Sequence, residues 1–317
     1  LKAGTIGSNV PVTILGDPTQ KALVSLEFCE QSLSPRPIKL QELDVVFPVL
    51  HGPYGEDGTI QGLLELAGIP YVGAGVLASA VGMDKPTMKA VFMAHGLPVV
   101  KHILIRRKHW ERDPAKIMEQ VEEEIGYPCF VKPANLGSSV GVSKARNRGE
   151  LERALRIAAQ YDRKMLVEVA INAREIECSV LGNDDPIASV PGEVVPHREF
   201  YDYKAKYIPG ESDLIIPAPI PPDLAQYIQE LAIKAFLAVD CAGMARVDFF
   251  LDKETGQVYV NEINTIPGFT ATSMYPKMWE ASGISYPELL DKLIELALER
   301  FEDKSRCKTS YTPEEEE

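Results

Sequence analysis

Two carboxylates, Asp248 and Glu262, belong to β-rich runs that flank a short polar loop, a pattern typical of a β-hairpin. If Asp252 pairs with Val258 across the hairpin, Asp248 lies directly opposite Glu262. Side chains alternate between the two faces of a strand, so both carboxylates then share one face. Like charges directly opposite each other on a sheet are destabilising, and we therefore expect a neutralising group beside them.

A hard cation is the group that this pair favours. The same pairing places Arg246 opposite Asn264 on the carboxylate face. Asp248, Glu262 and the amide oxygen of Asn264 are ligand types that Mg²⁺ takes, with phosphate and water completing its shell. The alternative is the solvated outer face of an edge hairpin, which the presence of Arg246 and Asn264 on that face weakens.

A second candidate for phosphate chemistry begins at Lys132, which ends a predicted strand and precedes a loop of small residues with Gly137, Ser138 and Ser139. Glycine and serine let backbone N–H groups and hydroxyls approach an anion, and lysine supplies charge. The loop lacks the GxxxxGK[ST] pattern of a Walker A loop. A phosphate-binding loop and a plain hairpin turn both stay open at this point.

A polar, aromatic segment from Phe200 to Tyr207 contains Lys204 and Lys206. It can be an ordinary surface connection. It can also be a lid whose lysine closes over phosphates and excludes water.

A competing signal lies in Gly73-Ala-Gly75-Val-Leu-Ala78, which matches the GxGxxA pattern of a dinucleotide-binding turn. The strand before it is short and is reached from a helix. No acidic residue lies about twenty positions further on to hold a ribose. An oxidoreductase that binds a nicotinamide cofactor is therefore a remote alternative.

Composition limits the classes of partner. The chain has 317 residues, and 46 acidic against 33 basic side chains leave a formal charge of −13, which argues against nucleic-acid binding. No stretch reaches the roughly 18 consecutive apolar residues of a membrane span, and the first residues do not resemble a secretion signal. The five scattered cysteines fit a reducing compartment. We expect a cytoplasmic protein that binds neither nucleic acid nor membrane.

Alternating strands and helices are predicted along most of the chain. Val45 to Leu50 is typical of a short buried strand, and Thr59 to Ala67 of a helix that ends before Gly68. Further predicted helices lie over 86–96, 113–125, 150–160, 223–238 and 287–300, and further predicted strands over 101–107, 129–133, 140–143, 165–169, 176–181, 246–251 and 258–264. These elements predict α/β and α+β lobes over 1–84, 85–166 and 167–305, with an acidic tail at 306–317.

Six markers together resemble the D-alanine–D-alanine ligase family of the ATP-grasp superfamily, from about Asp44 to Leu298. In chain order they are LHGPYGEDGTIQG from Leu50, MDK ending at Lys85, VKPANLGSSVGVSK from Val131, EVAINAREIE from Glu168, FYDYKAKY from Phe200, and RVDFF with NEINTIPGFTATSMYP from Arg246. The resemblance implies a three-lobed ATP-grasp architecture in which ATP lies between the central and C-terminal lobes.

The resemblance also implies the residues that bind ATP and metal. Positions that match the family's ATP-binding residues are Lys85, Lys132, Ser138, Ser139, Glu168, Glu175 and Lys206. Among these, Lys85 and Lys132 hold phosphates, the two glutamates meet the adenine edge and the ribose hydroxyls, and Lys206 is the lid lysine that reaches the terminal phosphate. Positions that match the magnesium ligands are Asp248, Glu262 and Asn264. Two Mg²⁺ ions are implied, with Mn²⁺ as a substitute.

The resemblance also implies the residues that recognise the amino-acid substrates. Positions that match substrate-binding residues are His51, Arg246, Asn264, Gly268 and Ser273. Arg246 and the N–H of Gly268 resemble the donors that stabilise an oxyanion in acyl transfer. Ser273 resembles the hydroxyl that receives the carboxylate of the second D-alanine, and His51 lies in the motif that lines the pocket. Positions that match catalytic residues are Arg246, Gly268, Ser138, Tyr207 and Lys206.

The implied reaction joins two D-alanines with ATP through an acyl phosphate, for peptidoglycan precursor synthesis, in a homodimer. A tyrosine at position 207 favours D-alanine over D-lactate as the acceptor. Ligation to D-lactate, another carboxylate–amine ligation and a non-catalytic ATP-grasp-like module stay open as alternatives.

One part of the family pattern is missing. The family carries a Gly-Gly-x-Ser-x-Glu segment whose glutamate recognises the amino group of the first D-alanine and is linked to the positions of Ser138 and Tyr207. Nothing in residues 1–41 matches it. We expect this segment to be present in the natural protein and to complete the first substrate site.

Overall fold

A computed structural model gives the fold of the chain. It describes residues 12–27, 36–137, 139–196, 212–270 and 272–308. Three antiparallel sheets follow one another along these residues, and helices pack between and against them. The predicted lobe boundaries are not tested by this arrangement and stay predictions.

The first sheet has strands β1 (Val12–Ile14), β2 (Ala22–Glu27) and β3 (Arg36–Glu42) in that spatial order. The buried strand predicted from Val45 to Leu50 was wrong. Among the residues that the structure describes, Val46 alone of this stretch forms a bridge, with Tyr71. Pro48 cannot donate a ladder hydrogen bond, and the side chains of Val49 and Leu50 are 54% and 42% exposed.

Three helices follow the first sheet: α1 (Thr59–Ala67), α2 (Val76–Met83) and α3 (Lys85–Ala94). Helix α1 has the predicted bounds because Gly68 adopts a left-handed conformation, with φ of 62°, and ends it. Helix α2 was not predicted. Asp84 separates α2 from α3, and its side chain accepts a hydrogen bond from Thr87 N at 3.1 Å, which caps α3.

The second sheet has the spatial order β4-β7-β5-β6. Its strands are β4 (His102–Arg106), β5 (Cys129–Pro133), β6 (Ser143–Ala145) and β7 (Lys164–Val169), and its helices are α4 (Arg107–Arg112), α5 (Pro114–Glu124) and α6 (Arg148–Tyr161). The strand predicted at 140–143 starts only at Ser143. Val140 and Val142 instead belong to turns around Gly141, whose φ is 74°.

The third sheet has the spatial order β11-β10-β8-β12-β13, and β9 pairs with β8. Its strands are β8 (Ala173–Gly182), β9 (Ile187–Ala188), β10 (Gly192–Pro196), β11 (Ser212–Ile215), β12 (Gly243–Asp252) and β13 (Val258–Asn264). Helices α7 (Pro222–Ala238), α8 (Met274–Ala281) and α9 (Tyr286–Ser305) pack against it.

The faces of the third sheet differ in polarity. One face, with Val247 and Phe249, forms the largest apolar core together with α7 and α3. On the other face, α8 and α9 cover the end that carries Met244 and Leu181. The rest of this second face carries the charged side chains of β8, β12 and β13. No helix within the described ranges combines the length and the apolar character needed to cross a membrane.

Candidate active site

The hairpin of β12 and β13 places Asp248 opposite Glu262, as the sequence predicted. The starting assumption was wrong by one residue, since Val258 pairs with Leu251 and not with the residue after it. A β-bulge beside Asp248 accommodates Asn261 as an extra residue, and from there the predicted pairing is restored. The carboxylates share a face because of this bulge.

Three carboxylates form a row across neighbouring strands of the third sheet. Asp248 lies between Glu262 on β13 and Glu177 on β8. Arg246 donates two hydrogen bonds to Asp248, from Nε at 2.7 Å and from Nη2 at 2.8 Å, and its Nε lies 3.1 Å from Glu177 Oε2. Burial by itself lowers the pKa of Arg246, but Asp248 and Glu177 outweigh it and raise that pKa well above its ordinary value. The guanidinium is therefore a permanent cation in this row.

The oxygen atoms of the row suit a hard cation. Within the described part of the chain, no group of three or more histidine, cysteine, aspartate or glutamate side chains is arranged to hold a metal. The predicted ligands are two carboxylates and an amide. Asn264 donates from Nδ2 to Asp248 at 2.9 Å, which leaves its carbonyl oxygen available as a ligand. These donor types fit Mg²⁺.

Lys85, at the start of α3, connects the hairpin to the small-residue loop. Its Nζ lies 3.6 Å from Glu262 Oε2 and donates to the carbonyl oxygen of Leu136 at 2.8 Å. The loop is held at its base by Asn135, whose Nδ2 donates to Asp84 at 3.0 Å and to Asp162 at 3.1 Å. The lysine and the loop thus take their positions from one hydrogen-bonded network.

A buried cluster of charges lies beneath the cleft between the second and third sheets. Glu168 is 1% exposed, forms an ion pair with Lys132, and its Oε2 lies 3.4 Å from Lys89 Nζ. Burial by itself would raise the pKa of Glu168, but the two lysines outweigh it and hold that pKa at about 2. Lys132 also lies 5.7 Å from the ring centre of Phe250, which belongs to the third sheet.

Lys89 was missed by the sequence analysis. Its side chain is 1% exposed, and lysine is almost never fully buried in proteins unless it is paired. The available signal was its spacing from Lys85, because residues four apart lie on the same face of a helix.

Glu56 was also missed. Its Oε2 accepts a hydrogen bond from the N–H of Gly52 at 2.6 Å. Burial raises its pKa, the N–H of Gly52 and the side chains of His51 and Arg246 lower it, and Glu262 raises it further, with a raised pKa as the result. The available signal was its position in the LHGPYGEDGTIQG marker, five residues after His51. His51 itself lies on an exposed part of that loop.

Residues from separate parts of the sequence meet in a small cavity of about 30 Å³. Its lining consists of Glu56, Gly82, Met83, Lys85, Gly137, Glu262, Ile263, Asn264 and Thr265. The carboxylates of the hairpin, the first lysine of α3 and the start of the small-residue loop are therefore neighbours, as a phosphate and metal site requires.

Gly268 and Ser273 lie side by side after β13. A Cβ atom on Gly268 would lie 2.6 Å from Ser273 Oγ. The N–H of Thr270 donates to the same Oγ at 2.9 Å. The structure thus brings the backbone of Gly268 close to the hydroxyl of Ser273, two residues that the resemblance assigned to substrate binding.

The remaining predicted residues differ in what can be said of them. Ser138, Lys206 and Tyr207 lie outside the described residues. Ser139 has a φ of 57°. Glu175 pairs with Phe250 across β8 and β12, and so lies on the same face as the carboxylate row.

A larger cavity of about 750 Å³ lies away from these residues, between α2 and α9. Two of its charged groups have partners: Arg300 Nη2 donates to the carbonyl oxygen of Tyr71 at 3.0 Å, and Lys304 lies 2.5 Å from Glu65. None of its lining side chains has a buried polar atom without a hydrogen-bond partner. We assign no chemistry to it.

Comparison with known protein families decides between the protein classes that the sequence left open. Residues 91–295 match the family model for the D-ala D-ala ligase C-terminus, and residues 17–74 match the model for its N-terminus. The chain belongs to the D-alanine–D-alanine ligase family. Its ATP-grasp fold and its ATP-dependent ligase activity follow from that membership together with the relatives below.

Members of this ligase family resemble the chain over most of its length. The D-alanine--D-alanine ligase of Heliobacterium modesticaldum is 55% identical over 302 residues, which are 95% of this chain and 81% of the relative. The solved D-alanine-D-alanine ligase of Coxiella burnetii is 41% identical with a TM-score of 0.76, covering 90% of this chain and 76% of that one. The VanG D-Ala:D-Ser ligase of Enterococcus faecalis is 38% identical with a TM-score of 0.79, covering 91% and 79%.

Membership of the ligase family overturns the oxidoreductase alternative. Gly73 and Gly75 do not follow a strand within a named sheet, since Tyr71 forms only an isolated bridge. Gly75 instead precedes α2, whose residues Ala78 and Met83 are buried. The GxGxxA match therefore marks a turn between a bridge and a helix.

Proposed function

We propose that the chain joins two D-alanines in the reaction ATP + 2 D-alanine → D-alanyl-D-alanine + ADP + phosphate, with an acyl phosphate as the intermediate. The product serves peptidoglycan precursor synthesis, as the family membership implies. The observation that carries the site assignment is the meeting of Asp248, Glu262 and Asn264 with Lys85 at the cleft. A polyphosphate and a divalent cation need this combination of carboxylates and cations.

ATP is proposed to bind between the second and third sheets. The residues assigned to it are Lys85, Lys132, Ser138, Ser139, Glu168, Glu175 and Lys206. Lys85 and Lys132 offset the charge of the phosphates. Support for the adenine position comes from Glu168, whose buried Oε2 has no well-formed hydrogen bond and can accept one from an exocyclic amine.

Magnesium is the proposed metal, as two ions for which Mn²⁺ can substitute, held by Asp248, Glu262 and Asn264. When bound, it neutralises charge on the transferring phosphoryl group. The protein's own contribution is to hold these oxygens on one face of the hairpin, with Arg246 balancing the carboxylates.

The two amino-acid sites are proposed around Arg246 and Gly268. The first D-alanine carboxylate attacks the terminal phosphate of ATP, and the amine of the second D-alanine then attacks the acyl carbon. Arg246 and the Gly268 N–H stabilise the oxyanion of that second step. Ser273 receives the carboxylate of the second D-alanine, and His51 lines the pocket.

The segment with Lys206 and Tyr207 is proposed to act as a lid. An acyl phosphate hydrolyses when water reaches it, so closure must precede the first step. Lys206 then contributes charge at the terminal phosphate, and Tyr207 acts with Ser138 beside the first D-alanine. We also propose that the chain acts in the cytoplasm as a homodimer.

The test is release of phosphate from ATP with Mg²⁺ and D-alanine, in parallel with L-alanine, D-lactate and D-serine. We expect D-alanine alone to support rapid release and D-alanyl-D-alanine to form. Asp248→Asn and Glu262→Gln should abolish release, whereas Glu119→Gln, an exposed carboxylate on α5, should leave it unchanged. Preferential use of D-lactate or D-serine as the acceptor at neutral pH would refute the acceptor assignment, and full activity of both hairpin variants would refute the metal assignment.

A further inference from the structure

Lys89 is the one lysine of α3 whose ammonium group is sealed from the cleft. Its side chain is 1% exposed, against 11% for Lys85 and 12% for Lys132. Burying an ammonium group is unfavourable unless an anion compensates for it. Without an anion beside it, a buried ammonium group would lose its proton or its position, so Lys89 depends on a partner to stay charged.

The partner of Lys89 is Glu168, which forms ion pairs with two lysines. Lys132 forms an ion pair with its Oε1, while Lys89 Nζ lies 3.4 Å from its Oε2. The other ionisable groups that act on Lys89 are Lys132, which lowers its pKa further, Glu262 and, from β4, His102. Burial lowers the pKa of Lys89, and Glu168 opposes that change. Two cations therefore share one fully buried carboxylate.

The two lysines differ in what they can reach. Lys132 extends towards the cleft, where its Nζ lies 5.7 Å from the ring centre of Phe250 on the third sheet. Lys89 contacts the same carboxylate, but its side chain is only 1% exposed and so is shielded from a ligand in the cleft. When Lys132 engages a phosphate, Glu168 would be left as an uncompensated buried carboxylate if Lys89 were absent.

We propose that Lys89 is a positioning residue that remains the counter-ion of Glu168 and so frees Lys132 to bind the polyphosphate of ATP. The inference rests on the proposed function, because it takes ATP to lie in this cleft. Lys89 touches neither substrate nor metal in this role. It acts through the charge balance of Glu168.

The test is a double-mutant cycle on ATP binding, measured by calorimetry on the full chain. In Lys89→Met, Lys132 must stay with Glu168, so the Kd for ATP should rise about tenfold or more. The KM for D-alanine at saturating ATP should change by less than about twofold. Lys116→Met, which removes an exposed lysine on α5, is the control and should bind ATP like the parent chain.

Removing the carboxylate distinguishes the proposed role from a general loss of packing. Adding Lys89→Met to Glu168→Gln should change the Kd for ATP by no more than about twofold, because no buried anion then needs a partner. This comparison also holds if Lys89→Met alone does not fold, since the double variant lacks the unpaired charge. A tenfold difference between Glu168→Gln and the double variant would overturn the proposal, as would a Kd for Lys89→Met equal to that of the parent chain. Absence of D-alanine-stimulated phosphate release in the parent chain would instead refute the proposed function.

Discussion

A side chain on Gly268 would collide with the hydroxyl of Ser273, because a Cβ atom there would lie only 2.6 Å from Ser273 Oγ. The hydroxyl cannot move away freely, since the N–H of Thr270 donates to it at 2.9 Å and the Thr270 hydroxyl lies 2.9 Å away. Glycine at this position therefore lets the backbone pass close to a fixed hydroxyl without a side chain between them.

Gly268→Ala should displace the Ser273 hydroxyl and lower kcat/KM for D-alanine by roughly a hundredfold, the loss typical of a misplaced oxyanion donor. The measurement is phosphate release at varied D-alanine. Gly62→Ala on α1 is the matched control, since a Cβ atom there meets nothing within 4 Å. Equal activity of the Gly268 variant and the control would contradict the assignment.

Arg246→Met should destabilise the fold as well as abolish activity. Asp248 and Glu177 would lose the guanidinium that lies between them, and breaking a buried ion pair on one side typically lowers the free energy of unfolding by about 3–5 kcal/mol. Urea denaturation measures this change. Arg153→Met, an exposed residue of α6, should alter it by less than about 0.5 kcal/mol. Similar losses in the two variants would show that the carboxylate row does not depend on Arg246.

Glu168 should make the fold sensitive to acid. Its pKa is about 2 in the folded chain against an ordinary value of 4.5, so the native carboxylate binds protons less readily than the unfolded one. The stability from this group is present above about pH 4.5 and is lost as the pH falls towards 2. Urea midpoints measured from about pH 6 to about pH 3 should fall more steeply for the parent chain than for Glu168→Gln. Parallel curves would contradict this prediction.

Glu56 should change the stability of the fold with pH in the opposite direction. Its raised pKa means that the native state holds the proton more tightly than the unfolded state, so the stability from this group falls as the pH rises through that pKa. Glu56→Gln keeps an acceptor for the Gly52 N–H and removes the buried charge, so it should raise the urea midpoint near neutral pH. Asp57→Asn is the contrasting variant, because hydrogen bonds lower the pKa of Asp57 and the substitution should lower the midpoint. A lower midpoint for Glu56→Gln would contradict the prediction.

The bounds of helices and strands were predictable where residues close in the sequence determine them. The helix Thr59–Ala67 and the strands Cys129–Pro133 and Val258–Asn264 have the predicted bounds, because glycine, proline and side-chain alternation act on neighbouring residues. The prediction of a strand from Val45 to Leu50 was wrong because strand formation also needs a partner from another part of the chain. Its apolar character indicated burial, but in the described part of the chain no strand pairs with it beyond Val46.

The sequence by itself determined the family, the hairpin and the residue types of the site. Only the tertiary structure decided how those residues meet. Asn261 restores the pairing of Asp248 with Glu262 through a bulge that alternation does not reveal, and Lys89 meets Glu168 across a large separation in the sequence. Short-range periodicity depends on adjacent residues, whereas a buried ion pair depends on which distant segments pack together and exclude water.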